Sequence, residues 1–231
     1  MRLSVGLWLV DLDAVASARG NELGDSLPRS ERARGARFLQ GSMRSRYLAS
    51  REALRRILSD HYGLAPRDVE LAYGQRGKPS LKGAEHLGKH FSLAHCAGKA
   101  LIATTTRAPI GVDIERIRLS VDVDRIASRF FTSEEAQNLA DLPGHEKTRA
   151  FFSCWVRKEA LVKATGDGFV SFRGFEITCG SAPAQVLVAP GDAHAWSLSD
   201  LKLPADMVGA VALNASDSIS ARPLPWVWPE A

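Results

Sequence analysis

The segment EKTRAFFSCWVRKEALVKATGDGF, residues 146–169, carries the strongest helical pattern in the chain. Its apolar residues recur at helical spacing, and Gly166 and Gly168 mark the end of the predicted helix. A second stretch, residues 28–61, has the same period and places several arginines around its surface. The fold must therefore hold two long helices, one in each half of the 231 residues.

Short β-rich segments surround these two helices. Residues 121–131 and 132–142 predict two further helices, and Thr132 with Glu135 has the spacing of a capping box. The strand candidates are LSVGLWLVDL, VELAYG, FSLAHC, KALIATTT, APIGVDIERI, GFEITC, AQVLVAP, HAWSLSDL and MVGAVALN, and RPLPWVWPEA predicts an irregular tail. Because strands and helices do not alternate strictly, we expect an α+β fold of two similar lobes, 1–106 and 107–231.

Composition excludes several classes of protein. No apolar run approaches the ~18 residues of a membrane span, and VGLWLV stops at Asp11 without a cleavage-site pattern. Cys96, Cys154 and Cys179 have neither metal-site nor disulfide spacing, so a reducing cytoplasm is the expected setting. The chain is 45% hydrophobic and 24% charged, as in an ordinary globular protein.

Positive charge is concentrated in the first half. Residues 1–107 hold 18 Lys and Arg against 10 Asp and Glu, whereas residues 108–231 hold 12 against 16. This asymmetry suggests an anionic ligand held mainly by the first half, and a solvated basic helix is the alternative. The arginines of residues 29–56 could also face nucleic acid, but no nucleic-acid-binding signature or phosphate-binding glycine loop accompanies them.

Asp113 and Glu115 interrupt the apolar strand IGVDIERI. Residues i and i+2 of a strand share a face, so the two carboxylates project together while Val112 and Ile114 point into a core. Two like charges this close favour a cation between them, and Mg²⁺ suits carboxylate ligands that share its shell with phosphate. A pair of solvated acids at a strand edge is the alternative.

Glu159 and Lys163 lie one helical turn apart in the long helix and share a face. One interpretation is a surface ion pair. In the other, Glu159 is a metal ligand or a base, and Lys163 is an amine that binds phosphate. Lys158 adds a further candidate cation. Outside this helix, Lys78 follows a glycine in a loop and His95 follows a short apolar strand, and both are candidate phosphate ligands.

In this order, GKPSL, FSLAHCAG, IGVDIE and FFSCWVRKEALVKATGDGF resemble the motif series of the 4′-phosphopantetheinyl transferases of the Sfp type. The motif W-x-x-K-E-A-x-x-K, which runs from Trp155 to Lys163, resembles the form found in the subgroup that serves polyketide, peptide and fatty-acid synthases. The motifs cover about residues 77–169, and RYLASREALRRIL extends the likeness upstream. The last sixty residues match only in general character.

The resemblance implies a monomer of two α+β halves around a pseudo-two-fold axis, with the site between them. It implies transfer of the phosphopantetheine arm of coenzyme A to a serine of an apo carrier protein, with release of 3′,5′-ADP and with Mg²⁺, or Mn²⁺, as the cofactor. The implied metal ligands are Asp113, Glu115 and Glu159. Glu159 is also the implied base for the serine, and Lys163 holds the α-phosphate and protonates the leaving group. The implied coenzyme A contacts are Arg46, Lys78, His95, Lys158 and Lys163.

Three positions depart from the family pattern. Ala94 stands where many relatives have a serine that binds phosphate. Tyr47 stands where some relatives have a small hydroxyl residue, and Glu31 stands where at least one branch has a basic residue. These changes are expected to tune the affinity for coenzyme A. Glu135 occupies a position that is acidic in the family, but the capping box is the favoured interpretation.

Two hypotheses from other classes remain open on the sequence alone. One is a basic nucleic-acid-binding protein, whose binding would ignore the three acids. The other is a Mg²⁺-dependent phosphohydrolase of a nucleotide diphosphate, which would form product without a carrier protein. Neither explains the joint order of the four motifs.

Overall fold

The computed structural model describes residues 5–74, 77–83, 88–166, 168–180, 182–216, 219 and 222–229. The helices are α1 (Leu12–Arg19), α2 (Arg29–Gly35), α3 (Gly41–Tyr62), α4 (Val123–Phe130), α5 (Ser133–Ala140) and α6 (Gly144–Thr165). The strands are β1 (Gly6–Asp11), β2 (Leu71–Tyr73), β3 (Pro79–Leu81), β4 (His90–Cys96), β5 (Lys99–Thr105), β6 (Ile110–Arg116), β7 (Glu176–Ile177), β8 (Val186–Val188), β9 (Ser197–Asp200), β10 (Met207–Leu213) and β11 (Leu224–Trp226).

Two sheets organise the molecule. The first sheet has the order β11-β1-β5-β4, and the second sheet has the order β6-β10-β9. Two small hairpins, β2-β3 and β7-β8, lie beside them. Among the described strands, every pair is antiparallel except β1 with β11, which run parallel. The predicted mixture of helices with antiparallel strands is confirmed.

Each half has a 22-residue helix over its sheet. In the first half, buried residues of α3, including Leu54 and Leu58, form a core with β1 and β5. In the second half, buried residues of α6, including Phe151 and Leu161, form a core with β10 and with the short helices. The opposite faces of the two sheets share a third core, to which Leu101 and Val112 belong. This third core joins the halves into one body.

The edge strands β4 and β6 run side by side where the halves meet. The backbone N–H of Val112 donates to Ser92 Oγ at 3.1 Å, and the backbone N–H of Arg116 donates to Cys96 Sγ at 3.1 Å. These bonds place β6, with its two acids, directly beside the strand that carries His95. The junction of the sheets therefore brings together motifs from both halves.

Some elements differ from the sequence prediction. The helix predicted over residues 28–61 is two helices, α2 and α3, separated at residues 36–40. The helix α1 was not predicted, although Asp11 caps it by accepting from the backbone N–H groups of Asp13 and Ala14, each at 3.1 Å. The loop predicted at GKPSL includes the short strand β3.

The tail returns to the first half of the molecule. Strand β11 pairs with β1, and Trp226 and Trp228 pack against the first core. The guanidinium of Arg19 lies 4.7 Å from the Trp228 ring centroid. Residues 224–226 thus belong to the first sheet, although they fall within the predicted second lobe, because Trp226 and Trp228 bury apolar surface against the first core. Among the described residues, no helix is both long and apolar enough to cross a membrane.

Candidate active site

Strand β6 presents its two acids toward α6. Val112 and Ile114 face the core between the sheets, as predicted, and Asp113 lies on the other face. The Asp113 side chain is buried, its Oδ1 accepts a 2.6 Å hydrogen bond from Lys163 Nζ, and its Oδ2 is buried without a partner. Burial raises the pKa of Asp113, and Lys163 opposes that shift. Asp113 is therefore a carboxylate held out of water with half of its hydrogen-bonding capacity unused.

Glu115 lies nearer the surface on the same strand. Its Oε2 is 3.4 Å from Arg118 Nη2 and accepts a 3.6 Å hydrogen bond from Cys96 Sγ. Its side chain keeps 25% of its surface exposed, against 9% for Asp113. The strand thus supplies one deep and one accessible carboxylate.

Helix α6 approaches β6 closely because Gly111 has no side chain. A Cβ at this position would lie 1.9 Å from the backbone oxygen of Ala160, so only glycine fits under the helix. This contact sets the distance between the acids of β6 and the two site residues of α6, Glu159 and Lys163. The pair from α6 is therefore positioned by backbone packing.

Glu159 has a strongly perturbed pKa. Burial raises the pKa of its carboxyl from 4.5 to about 7, and the charges of Asp113 and Glu115 add to the rise while Lys163 opposes it. The like charges therefore act on one another, as expected of three acids around one site. Nevertheless, in the part of the chain that the structure describes, no three His, Cys, Asp or Glu side chains converge closely enough to hold a metal ion.

A pocket of about 320 Å³ lies beside these residues, and we refer to it as the lysine pocket. Its lining includes Lys78, Ser92, Glu159 and Lys163, and so draws on both halves. Lys78 Nζ donates to the backbone oxygens of Lys163 and, at 3.3 Å, of Ala164 at the end of α6. Three of the residues predicted for the site thus line one pocket.

His95 lies on β4 against α3. Its Nε2 is 2.5 Å from Ser50 Oγ, a hydrogen bond that links the strand to the helix. Partial burial lowers the pKa of His95 to about 4, and the positive charges of Arg51 and Lys163 contribute. The residue still has surface open to solvent. At neutral pH it is an uncharged imidazole.

Arg46 occupies an exposed position beside the β4–β5 turn. Its guanidinium makes two 2.8 Å hydrogen bonds to the Asp13 carboxylate and lies close to Gly98. The predicted contact of Arg46 with coenzyme A stays a prediction, and in this structure the guanidinium is engaged by an acid of the same chain.

The structure contradicts the predicted role of Lys158 in binding coenzyme A. The side chain is fully buried, and its Nζ donates to both Glu135 carboxylate oxygens, at 2.8 and 2.6 Å, and to the backbone oxygen of Phe175 at 2.7 Å. Burial lowers the pKa of this lysine despite its acidic partner. Successive residues of an α-helix lie about 100° apart around its axis, so Lys158 points toward the core while its neighbour Glu159 faces the lysine pocket. The capping box of Thr132 and Glu135 is confirmed.

Arg51 is a candidate ligand-binding residue that sequence reasoning did not single out. Its Nε and Nη1 are buried without partners, and its guanidinium lies 5.4 Å from the Tyr47 ring centroid. Arg55, one turn later, pairs instead with Glu31 at 3.0 Å. The sequence signal was the arginine cluster of α2 and α3, but only burial and pairing separate Arg51 from its neighbours.

A second pocket, of about 560 Å³, opens beside Tyr47, and we refer to it as the tyrosine pocket. Glu31, Arg34, Arg55 and Tyr73 also line it. The Tyr47 hydroxyl is buried without a hydrogen-bond partner. Two of the three departures from the family pattern, at Tyr47 and Glu31, thus meet in one pocket.

Comparisons with known proteins identify the family of the chain. The family model of the 4′-phosphopantetheinyl transferase superfamily matches residues 109–212, which contain β6, α6 and all of β10 except its last residue. The chain is 38% identical over 212 residues to the 4′-phosphopantetheinyl transferase HetI of Nostoc sp., covering 90% of this chain and 87% of the relative. It is 31% identical over 161 residues to AcpT of Salmonella typhimurium, covering 69% and 75%, and 30% identical over 133 residues to Sfp of Bacillus subtilis, covering 57% of each. The chain belongs to the 4′-phosphopantetheinyl transferase superfamily.

Proposed function

We propose that this transferase moves the 4′-phosphopantetheine arm of coenzyme A to a serine of an apo acyl, peptidyl or aryl carrier protein and releases 3′,5′-ADP. The observation that carries the proposal is the lysine pocket, where Lys78 of one half meets Glu159 and Lys163 of the other. The long match to HetI spans both halves and supports the same assignment. A 22-residue helix on a mainly antiparallel sheet in each half supports a pseudo-two-fold relation between the halves.

Mg²⁺ is the proposed cofactor, with Asp113, Glu115 and Glu159 as its protein ligands, and Mn²⁺ also suits such oxygen ligands. The residues fit a cation in two respects. Asp113 Oδ2 is buried and unpartnered, and the pKa of Glu159 is raised first by burial and then by the charges of Asp113 and Glu115, which a cation would offset. Because the described side chains do not converge, we infer that binding rearranges them. A bound divalent ion would neutralise charge on the pyrophosphate oxygens.

In the proposed reaction the serine oxygen forms a bond to the β-phosphorus, and the bond from that phosphorus to the bridging oxygen breaks. Glu159 receives the serine proton, directly or through a water. Lys163 holds the α-phosphate and protonates the oxygen of the departing 3′,5′-ADP. Lys163 Nζ lies 2.6 Å from Asp113 Oδ1, and this contact between the predicted amine and a predicted metal ligand supports the proposed role.

The remaining phosphate contacts are proposed to come from the first half. His95 is neutral at neutral pH, so it would act as a hydrogen-bond donor, oriented by Ser50. Arg46 and Lys78 would favour the 3′-phosphoadenosine end. Arg51 is added to this set because its unpartnered N–H groups are costly unless an anion satisfies them.

Intact-mass spectrometry tests the proposal directly. An apo acyl carrier protein is incubated with the transferase, coenzyme A and Mg²⁺, in parallel with an Asp113→Asn variant and an Asp206→Asn control. Asp206 is an exposed partner of Arg116, at the end of the same strand pair. We expect one phosphopantetheine to be added by the parent and by the control, and loss of the reaction in the Asp113 variant.

Other outcomes would separate the parts of the proposal. Full activity of the Asp113 variant would refute the metal role without refuting transfer. Coenzyme A cleavage at the same rate with no carrier present would instead support a phosphohydrolase. If a panel of acyl, peptidyl and aryl carriers stays unmodified while coenzyme A binds, the proposed carrier classes are wrong. Sedimentation of the active protein tests the expected monomer.

A further inference from the structure

Two of the three cysteines meet in the core of the second half. Cys154 lies on α6 and is fully buried, and Cys179 follows β7 and packs, partly buried, against the same core. Both are free thiols, and a hydrogen bond between them is the main cause that raises the pKa of Cys179 and lowers that of Cys154. Cys179 Sγ also donates to the backbone oxygen of Ile177 at 3.9 Å. They are 25 residues apart in the sequence, so the tertiary structure alone brings them together.

The segment that carries Cys179 is fastened to α6 on both sides of the thiol. Arg157 of α6 donates to the backbone oxygen of Thr178 at 2.7 Å and to that of Ala182 at 3.0 Å. Lys158 donates to the backbone oxygen of Phe175 at 2.7 Å. These bonds hold the backbone on either side of Cys179 against α6, within about one helical turn of Cys154 along the helix.

From this geometry we infer that Cys154 and Cys179 are a modification site, at which a low-molecular-weight disulfide such as glutathione disulfide converts the two thiols reversibly into an intrachain disulfide. Neither cysteine lines the lysine pocket, so the inference does not depend on the proposed reaction. The bond would tie α6, which carries Glu159 and Lys163, covalently to the segment after β7.

The reaction is a two-step thiol–disulfide exchange. The more accessible Cys179 sulfur, deprotonated by solvent, attacks one sulfur of glutathione disulfide and releases a first glutathione. The Cys154 thiolate then attacks the Cys179 sulfur of the mixed disulfide and releases the second. The two thiol protons end on the two glutathiones, and the two electrons lost by the cysteines reduce the oxidant.

The rate of the first step should depend on pH. The hydrogen bond between the thiols and partial burial both raise the pKa of Cys179, so little thiolate is present at neutral pH. Because the thiolate is the attacking species, oxidation should accelerate as the pH rises from about 7 to about 9.

The test treats the folded full chain with glutathione disulfide and follows its intact mass and its tryptic peptides. We expect a mass loss of two hydrogens, a linked peptide pair containing Cys154 and Cys179, and reversal by dithiothreitol. The Cys96→Ser variant should behave like the parent, and the Cys179→Ser variant should lose the reaction. The closed loop should also raise the melting temperature by about 5–10 °C.

Three results would overturn the inference. One is a stable glutathione adduct on Cys179 that does not close. Another is a linkage that involves Cys96. The third is retention of all three thiols in the parent under conditions in which unfolding the chain in urea makes them react. The test needs no substitution of the buried Cys154, which could unfold the protein. It uses the parent and substitutions of the two partly exposed cysteines, Cys96 and Cys179.

Discussion

Glu159 offers a quantitative test of the electrostatics of the site. Its pKa is raised from 4.5 to about 7, first by burial and then by Asp113 and Glu115. A carboxyl whose folded pKa is raised contributes stability that is fully present below the unfolded pKa and is lost as the pH rises through the folded pKa. The native protein without metal should therefore lose stability between about pH 4.5 and pH 7 because of this one group.

The magnitude follows from the shift. About 2.5 pKa units at ~1.36 kcal/mol each correspond to about 3 kcal/mol. The Glu159 side chain is only partly buried, so solvent screening reduces the expected effect to about 1–2 kcal/mol. Replacement by glutamine keeps the shape and removes the ionisation, so Glu159→Gln should be more stable than the parent above about pH 7.5 by this amount.

Urea unfolding in the presence of EDTA, at about pH 5 and about pH 8.5, measures the difference. From about pH 5 to about pH 8.5, the free energy of unfolding of the parent should fall by about 1–2 kcal/mol more than that of Glu159→Gln. Adding Mg²⁺ at the higher pH should stabilise the parent more than the variant. Glu146→Gln, an exposed change on the same helix, is the matched control and should follow the parent. Parallel pH dependences of the parent and Glu159→Gln would refute the reasoning.

Two packing features of α6 give further predictions. Gly111→Ala should destabilise the protein by about 1–3 kcal/mol or more and abolish transfer, because the new Cβ would meet the helix backbone at 1.9 Å. At Gly144 an added Cβ would meet no neighbouring atom within 4 Å, so the free energy of unfolding of Gly144→Ala should lie within about 0.5 kcal/mol of the parent's. Equal thermal stability of the two variants would contradict the packing argument. Lys158→Met should cost about 3–5 kcal/mol, since it leaves the buried Glu135 carboxylate unpaired. Adding Glu135→Gln should recover part of that loss in urea unfolding, and no recovery would show that the ion pair is not the cause.

Local sequence patterns predicted several parts of the site correctly. The apolar period and Gly166 located α6, and the alternation of IGVDIERI placed Asp113 opposite Val112 and Ile114. The capping box at Thr132 and Glu135 was also predictable, because it depends on residues three apart in the chain. These features depend on the backbone of a single element, and the sequence specifies that backbone through short-range sterics and hydrogen bonds.

The surroundings of each side chain were beyond those patterns. Lys158 and Glu159 are neighbours in the sequence, yet Lys158 forms a buried ion pair with Glu135 and Glu159 lines the lysine pocket. Arg51 and Arg55 lie one turn apart, yet only Arg55 has an acid partner.

The sequence alone thus predicted most of the helices and strands, the family motifs and the chemical types available for phosphate and metal. The packing of α6 on β6, and the junction of β4 with β6, decided which of those groups face one another. Burial, pairing and pKa depend on contacts between residues far apart in the chain, so they exist only once the tertiary structure has formed.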